Sequence, residues 1–217
     1  MLRFGLPGAG SDPLRVLALG CHADDIELGC AGTLLQLKHR APSLEVRWVV
    51  FSASGERARE ARASAEDLLE GVARAEVVLH EFRDGYLPYL GPPVKDSVEA
   101  MKDFAPDVVF THQRDDLHQD HRLISELTWN AFRDHLILEY EIPKYDGDHG
   151  SPNVFVPLDE ATCRRKVEVL MRHFGSQRSK RWFTEDLFSG LLRLRGMECN
   201  SPSNFAEAFY SRKTVLL

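Results

Sequence analysis

A chain of 217 residues is long for one small domain and short for two full ones, so one compact domain is expected. Its 43% hydrophobic and 28% charged residues exclude a disordered or fibrous chain. Lys and Arg number 27 against 33 Asp and Glu, a net charge of −6 with no basic block, which argues against nucleic acid or an anionic membrane as partner. The nine histidines are the unusual feature, and where they fall decides the reading.

Residues 1–13 (MLRFGLPGAGSDP) hold no long apolar stretch, so no secretory signal is expected. No segment approaches the roughly 20 apolar residues of a membrane-spanning helix. Cys21, Cys30, Cys163 and Cys199 form no CxxC pair and are expected as reduced thiols of a cytoplasmic protein.

In chain order, Arg15 to Gly20 (RVLALG) reads as a buried parallel strand, and Glu27 to Arg40 as a helix with Leu28, Leu34, Leu35 and Leu37 on its apolar side. Leu44 to Phe51 is a second strand and Glu56 to Leu69 a second helix. Glu76 to Phe82 is a third strand, closed by the Asp84-Gly85 turn. Val94 to Phe104 is helical, Asp107 to Thr111 a fourth strand, His118 to Phe132 helical and Leu136 to Ile142 a strand. Asn153 to Pro157 is one more short strand. Asp159 to Phe174 is a helix capped by Asp159, Trp182 to Leu194 another, and Phe205 to Tyr210 a closing strand or short helix. Strands alternating with helices imply an α/β fold, a Rossmann-like three-layer sandwich with a mostly parallel sheet and helices on both faces. Residues 1–217 are expected as a single domain, with about 150–217 an elaboration of it.

Two short segments carry the chemistry. His22-Ala23-Asp24-Asp25 follows the first strand, and Asp116-Leu117-His118-Gln119-Asp120-His121 follows the fourth. In doubly wound sheets the ligand crevice lies beyond the carboxyl ends of the strands, so both segments fall on that edge. The residue types suit zinc, which in catalytic sites takes three protein ligands and keeps one position open. His22, Asp25 and His121 would form a His₂Asp set, leaving Asp24 as a general base and His118 at the same mouth. A lone histidine is most often a surface or satisfied core residue; two acidic-histidine clusters after parallel strands are far less expected by chance. A dinucleotide site is disfavoured, because carboxylates stand where GxGxxG would be, and Gly5, Gly8 and Gly10 precede the strand.

At these residues the sequence resembles the PIG-L/LmbE-like family of zinc-dependent N-acetylglucosaminyl deacetylases, with their motifs of the forms HPDDxELGCGGT and DxHxDH. Here they stand as His22-Ala-Asp-Asp-Ile-Glu-Leu-Gly-Cys-Ala-Gly-Thr33 and Asp116-Leu-His-Gln-Asp-His121, with Ala23 for the usual Pro and Ala31 for a usual Gly. A looser likeness runs from about Arg15 to Arg133. The resemblance implies Zn2+ on His22, Asp25 and His121, with another divalent transition metal such as Fe2+ as the alternative. It implies Asp24 as general base, His118 as oxyanion stabiliser or proton donor, and Asp120 orienting His118. The implied activity is removal of an N-acetyl group from an N-acetylglucosamine-type sugar or conjugate, with cleavage of another amide, such as that of a thiol-sugar conjugate, as the alternative.

The partner implied is a small acetamido-sugar substrate, and a homo-oligomer is allowed. Arg57, Asp84, Arg114 and Asp116 are substrate-binding candidates, set against plainer readings as solvated helix face or turn residues. The turn-rich Glu141 to Gly150 could form a loop over the pocket, and Ser176 to Trp182 a sugar platform or a solvated junction.

Overall fold

The computed structural model describes residues 13–215; residues 1–12, and with them most of the segment read for a secretory signal, lie outside the described residues. Five strands, β1 (Arg15–His22), β2 (Glu45–Ser52), β3 (Arg74–Leu79), β4 (Val108–His112) and β5 (Leu136–Tyr140), pair in parallel. Two more, β6 (Val154–Pro157) and β7 (Ala206–Tyr210), extend the same sheet through antiparallel pairing of β7 with β5 and with β6. The order is β3-β2-β1-β4-β5-β7-β6. The chain therefore reverses direction across the sheet between β1 and β4, the switch point at which doubly wound folds bind ligands.

Alternation along β1 shows why both faces are covered. Val16 and Ala18 point into a core shared with α1 (Asp25–Arg40), α2 (Gly55–Leu69) and α5 (Glu160–His173). Leu17, Leu19 and Cys21 point into a second core with α3 (Gly91–Ala100) and α4 (Gln119–Ala131). A strand buried on both sides reads as a continuous apolar run, which is what RVLALG is. The final helix, α6 (Glu185–Glu198), packs on α5 and β7.

Several boundaries differ from the sequence reading, and three of the helix starts have a local cause. Helix α1 starts two residues earlier, at Asp25, directly after the His22–Asp24 turn. Helix α3 starts at Gly91 because Pro92 and Pro93 fit a first turn whose N–H groups need no partner. Helix α6 starts at Glu185, since Thr184 caps it by accepting from the Leu187 amide, and residues before a cap are not helical. Phe205 to Tyr210 resolves as strand β7.

The glycines of the first motif have a packing cause. A Cβ at Gly29 would lie 2.3 Å from the Tyr140 ring, and one at Gly32 would lie 2.5 Å from Leu158 and 2.9 Å from Glu207 Oε1. Glu207, on β7, enters this gap. It accepts from the Gly32 and Thr33 amides at 2.8 and 2.6 Å, from Thr33 Oγ1 at 2.6 Å and from Lys166 Nζ at 2.6 Å. Lys166 Nζ also donates to the Leu28 carbonyl at 2.7 Å. Both charges are buried, so removing one strands the other. Glu207→Ala is expected to lower unfolding stability by about 3–5 kcal/mol, read from urea titration.

Candidate metal centre

The site is built from two strand-to-helix turns on either side of the switch point. At the end of β1 the His22 amide donates to Asp25 Oδ2 at 2.7 Å, folding the first residue of α1 back under the strand. Across the crevice, the buried Asp116 accepts from the His118 amide through Oδ1 at 2.8 Å and lies 2.9 Å from His121 Nδ1 through Oδ2. His118 caps α4: its Nδ1 accepts from the Asp120 amide at 3.2 Å. The first turn of α4 then delivers His121 toward β1.

Three donor atoms meet there. His22 Nδ1 and His121 Nε2 are 3.1 Å apart, and Asp25 Oδ2 lies 3.4 Å from the first and 3.5 Å from the second. Zinc–nitrogen and zinc–oxygen bonds of about 2.0–2.1 Å require ligand atoms roughly 3.3–3.4 Å apart on a tetrahedron. The three atoms therefore fit one triangular face of such a site, with the fourth corner left to a reactant. The far ring nitrogens are also provided for. His121 Nδ1 faces Asp116, and His22 Nε2 lies 3.0 Å from Asp84 and 3.5 Å from Asp120, close contacts though neither is aligned as a hydrogen bond. Carboxylates on the outer nitrogens fix the tautomer of ligating histidines. Burial and then the neighbouring His112 push His121 down to about 3, so its ring is neutral with a lone pair to give. Burial alone would lower His22, but Asp120, Asp25 and Asp84 outweigh it and raise it well above an ordinary imidazole.

Asp24 is buried beside this face without a donor atom in it. Arg57 Nη2 donates to Asp24 Oδ1 at 2.5 Å, and Arg57 Nη1 donates to Glu60 at 3.0 Å. Glu60 is fixed in turn by the Ser176 amide and hydroxyl at 2.8 and 2.7 Å. Burial raises the Asp24 carboxyl above its usual range, and Arg57 restrains that rise. The neighbour of Arg57 is thus the candidate base. His118 is held below an ordinary imidazole by burial and by His22. Its Nδ1 is an acceptor, so the neutral ring carries its proton on Nε2.

The remaining candidates separate. The Asp120 carboxylate does not meet His118; it accepts from the Gly85 and Leu87 amides at 2.8 and 3.2 Å, and only its backbone amide reaches the His118 ring. Asp84 is exposed at the mouth, and Arg114 is exposed in the loop after β4. Asp116 is buried beneath His121, away from a substrate contact. The Ser176 to Trp182 segment reaches the site through Ser176, whose hydroxyl is 3.4 Å from Arg57 Nη1.

One site residue escapes the motif reading. His112, the last residue of β4, stacks on His121 with ring centroids 3.9 Å apart, and its Nε2 is 3.2 Å from Asp25 Oδ2 and accepts from the Cys21 amide at 3.0 Å. The signal for it is a histidine ending an otherwise apolar buried strand at the ligand edge. It backs two of the three face residues, so His112→Phe is expected to weaken metal affinity by about 10–100-fold, measured by chelator competition.

Fold and site together define an α/β protein with a His–Asp–His face at its switch point that could hold a metal ion. The PIG-L family model (GlcNAc-PI de-N-acetylase) matches residues 17–132, more than half of the chain, and the chain belongs to that family of amide-cleaving deacetylases. Among solved structures, the conserved protein TT1542 from Thermus thermophilus is 23% identical, with a TM-score of 0.73 over 94% of this chain and 97% of that one. N,N'-diacetylchitobiose deacetylase from Pyrococcus horikoshii is 20% identical, with a TM-score of 0.69 over 91% and 83%. A 4-carboxy-2-hydroxymuconate hydratase from Pseudomonas putida is 15% identical, with a TM-score of 0.75 over 94% and 98%. One fold therefore carries more than one chemistry, and the side chains of the site must decide. Among the described residues no helix is long and apolar enough to cross a membrane.

Proposed function

We propose that the protein is a zinc-dependent hydrolase that removes the N-acetyl group from an N-acetylglucosamine-type amino sugar or its conjugate. The observation that carries this reading is the three-atom donor face with a buried carboxylate, Asp24, beside it and outside the donor set. His22, Asp25 and His121 would hold the ion, which when bound supplies Lewis acidity toward water and the amide carbonyl. Asp24 accepts the proton of the attacking water. His118 donates its Nε2 proton in a hydrogen bond to the amide oxygen as negative charge builds there. Asp24 then returns the proton to the departing nitrogen as the C–N bond breaks, releasing acetate and a free amine. Asp84 and Arg114, exposed at the mouth, are the groups available to sugar hydroxyls.

The test is acetate release by the zinc-loaded protein from a panel of acetamido sugars, nucleotide sugars and thiol-sugar conjugates. Acetate release from an acetamido sugar or one of its conjugates supports the reading; cleavage of only another amide in a thiol-sugar conjugate, or no release from any member, overturns it.

The acid limb of the pH–rate profile follows Asp24, which works only when ionised. Arg57 favours that ionised form. Arg57→Met is expected to raise the Asp24 pKa, so kcat/KM falls more at pH 5–6 than at pH 8 and the acid limb moves upward. An unmoved limb in pH–rate measurements would contradict the role given to Arg57.

A further inference from the structure

Helix α6 is apolar on two opposite sides. Phe188 and Leu192 are buried against the rest of the chain. At 3.6 residues per turn, Leu187, Gly190, Leu191, Leu194 and Met197 fall together on the other side as one stripe. Leu187 is 36%, Leu194 44% and Met197 67% exposed. A surface helix ordinarily turns polar residues outward; one that is apolar all round is normally covered all round.

Gly190 sits in the middle of the stripe. Glycine weakens a helix interior relative to alanine, and no heavy atom lies within 4 Å of the place its Cβ would take. Packing within the chain therefore does not require it; what it permits is close approach by another backbone from outside. A groove of about 450 Å³ beside the stripe, lined by Gly190, Arg193, Leu194, Met197 and Asn200, gives side chains of a neighbour a place to insert.

The charges along this face are self-complementary. Asp186 and Arg193 lie seven residues apart on one flank of the stripe, on either side of Gly190. The ion pairs of α6 within the chain are those of Arg195 with Glu141 and Glu198. Among the described residues Asp186 and Arg193 make none, and Arg193 lies 5.3 Å over the Phe205 ring.

We propose that the outer face of α6 is the contact between two copies of this chain, packed antiparallel about a two-fold axis near Gly190. Leu187 of each copy then meets Leu194 of the other, and Asp186 of each meets Arg193 of the other. Parallel packing would set like charges side by side. Self-complementarity is what a two-fold contact requires, whereas an unrelated partner gives no reason for the two halves of one helix to match each other. The 14 residues of α6 span about 20 Å, a small patch, so the dimer is expected to dissociate at about 1–10 μM.

Sedimentation velocity of the full chain from about 0.5 to 100 μM tests this. The wild type is expected to pass from monomer to dimer over that range. Leu194→Glu places a carboxylate in the contact twice over and should weaken the dimer about 100-fold or more. Asp186→Arg and Arg193→Asp each turn two opposite-charge pairs into two like-charge pairs and should weaken it about tenfold. An equimolar mixture of those two variants should recover the wild-type affinity, because each again meets opposite charge; damage to the helix would not be repaired this way. Tyr89→Glu, at a 75% exposed position after β3, at the other end of the sheet, should change nothing. Circular dichroism reports whether each variant folds, and if Leu194→Glu does not, the charge variants decide. A wild type still monomeric at about 100 μM overturns the proposal and leaves the face to a different partner. An assembly of any size that folded Leu194→Glu leaves intact overturns it too, as does a mixture of the two charge variants that associates no better than either alone.

Discussion

Asp24→Asn is expected to cut acetate release by a factor of about 10³–10⁴ while the metal content of the protein stays unchanged. The substitution keeps the shape of the side chain. Its remaining carbonyl oxygen can still accept from Arg57, now 2.5 Å from Asp24 Oδ1, and Arg57 retains Glu60 as its ionic partner. None of the three face atoms belongs to Asp24, so the donor set is untouched. What is lost is one function, the capacity to take a proton. An amide cannot accept it under these conditions, and the aspartates nearest the face are committed elsewhere. Asp25 is committed to the face and to the His22 amide, Asp120 to the Gly85 and Leu87 amides, and Asp116 to His118 and His121. The pair of measurements is single-turnover acetate release and elemental analysis of the same preparation. Retained deacetylation in a zinc-loaded Asp24→Asn protein would remove Asp24 from the mechanism.

What the sequence makes legible here is what depends on neighbours in the chain. Apolar runs bounded by turn residues mark β1 to β5, and their alternation with helices places His22 and His121 on one edge. The rest depends on pairings between distant residues, to which periodicity is blind. Glu207 meets Gly32 across 175 positions, so the reason for that glycine is invisible within its own motif. Arg57 reads equally well as a solvated helix residue, because Glu60 stands three positions on; its bond to Asp24, 33 positions back, is what distinguishes it. The Asp120 carboxylate shares a turn with His118 yet faces the other way, toward residues 85–87, because a helix places successive side chains on different sides. The shift of α6 has a local cause: Trp182 and Phe183 fit the apolar period of the helix, but Thr184 supplies the cap that starts it.

Asp25→Ala is expected to abolish high-affinity zinc binding, and the site shows why it should cost more than any outer partner. Asp25 Oδ2 is the atom on which the site converges. It lies within 3.5 Å of His22 Nδ1, His121 Nε2 and His112 Nε2, and it accepts from the His22 amide. It is the only anion among the three face residues, so its removal takes away a donor atom and all of the face's negative charge together. It also releases the turn that orients His22. Loss of a carboxylate behind a ligand, as in Asp116→Ala, is expected to weaken affinity by about 10–100-fold; loss of Asp25 should exceed that range. Thermal unfolding gives an independent reading, because an ion that binds only the folded chain stabilises it by mass action. At zinc a thousandfold above its dissociation constant the gain is about 4 kcal/mol, which for a chain of this size raises the midpoint by on the order of 10 °C. The wild-type midpoint should therefore climb with added zinc and fall back with chelator. Asp25→Ala should melt at one temperature under both conditions, whereas Asp24→Asn should still respond as the wild type does. If Asp25→Ala kept the zinc-dependent rise, the donor face would have to be drawn from other residues, beginning with the neighbouring His112 and Cys21.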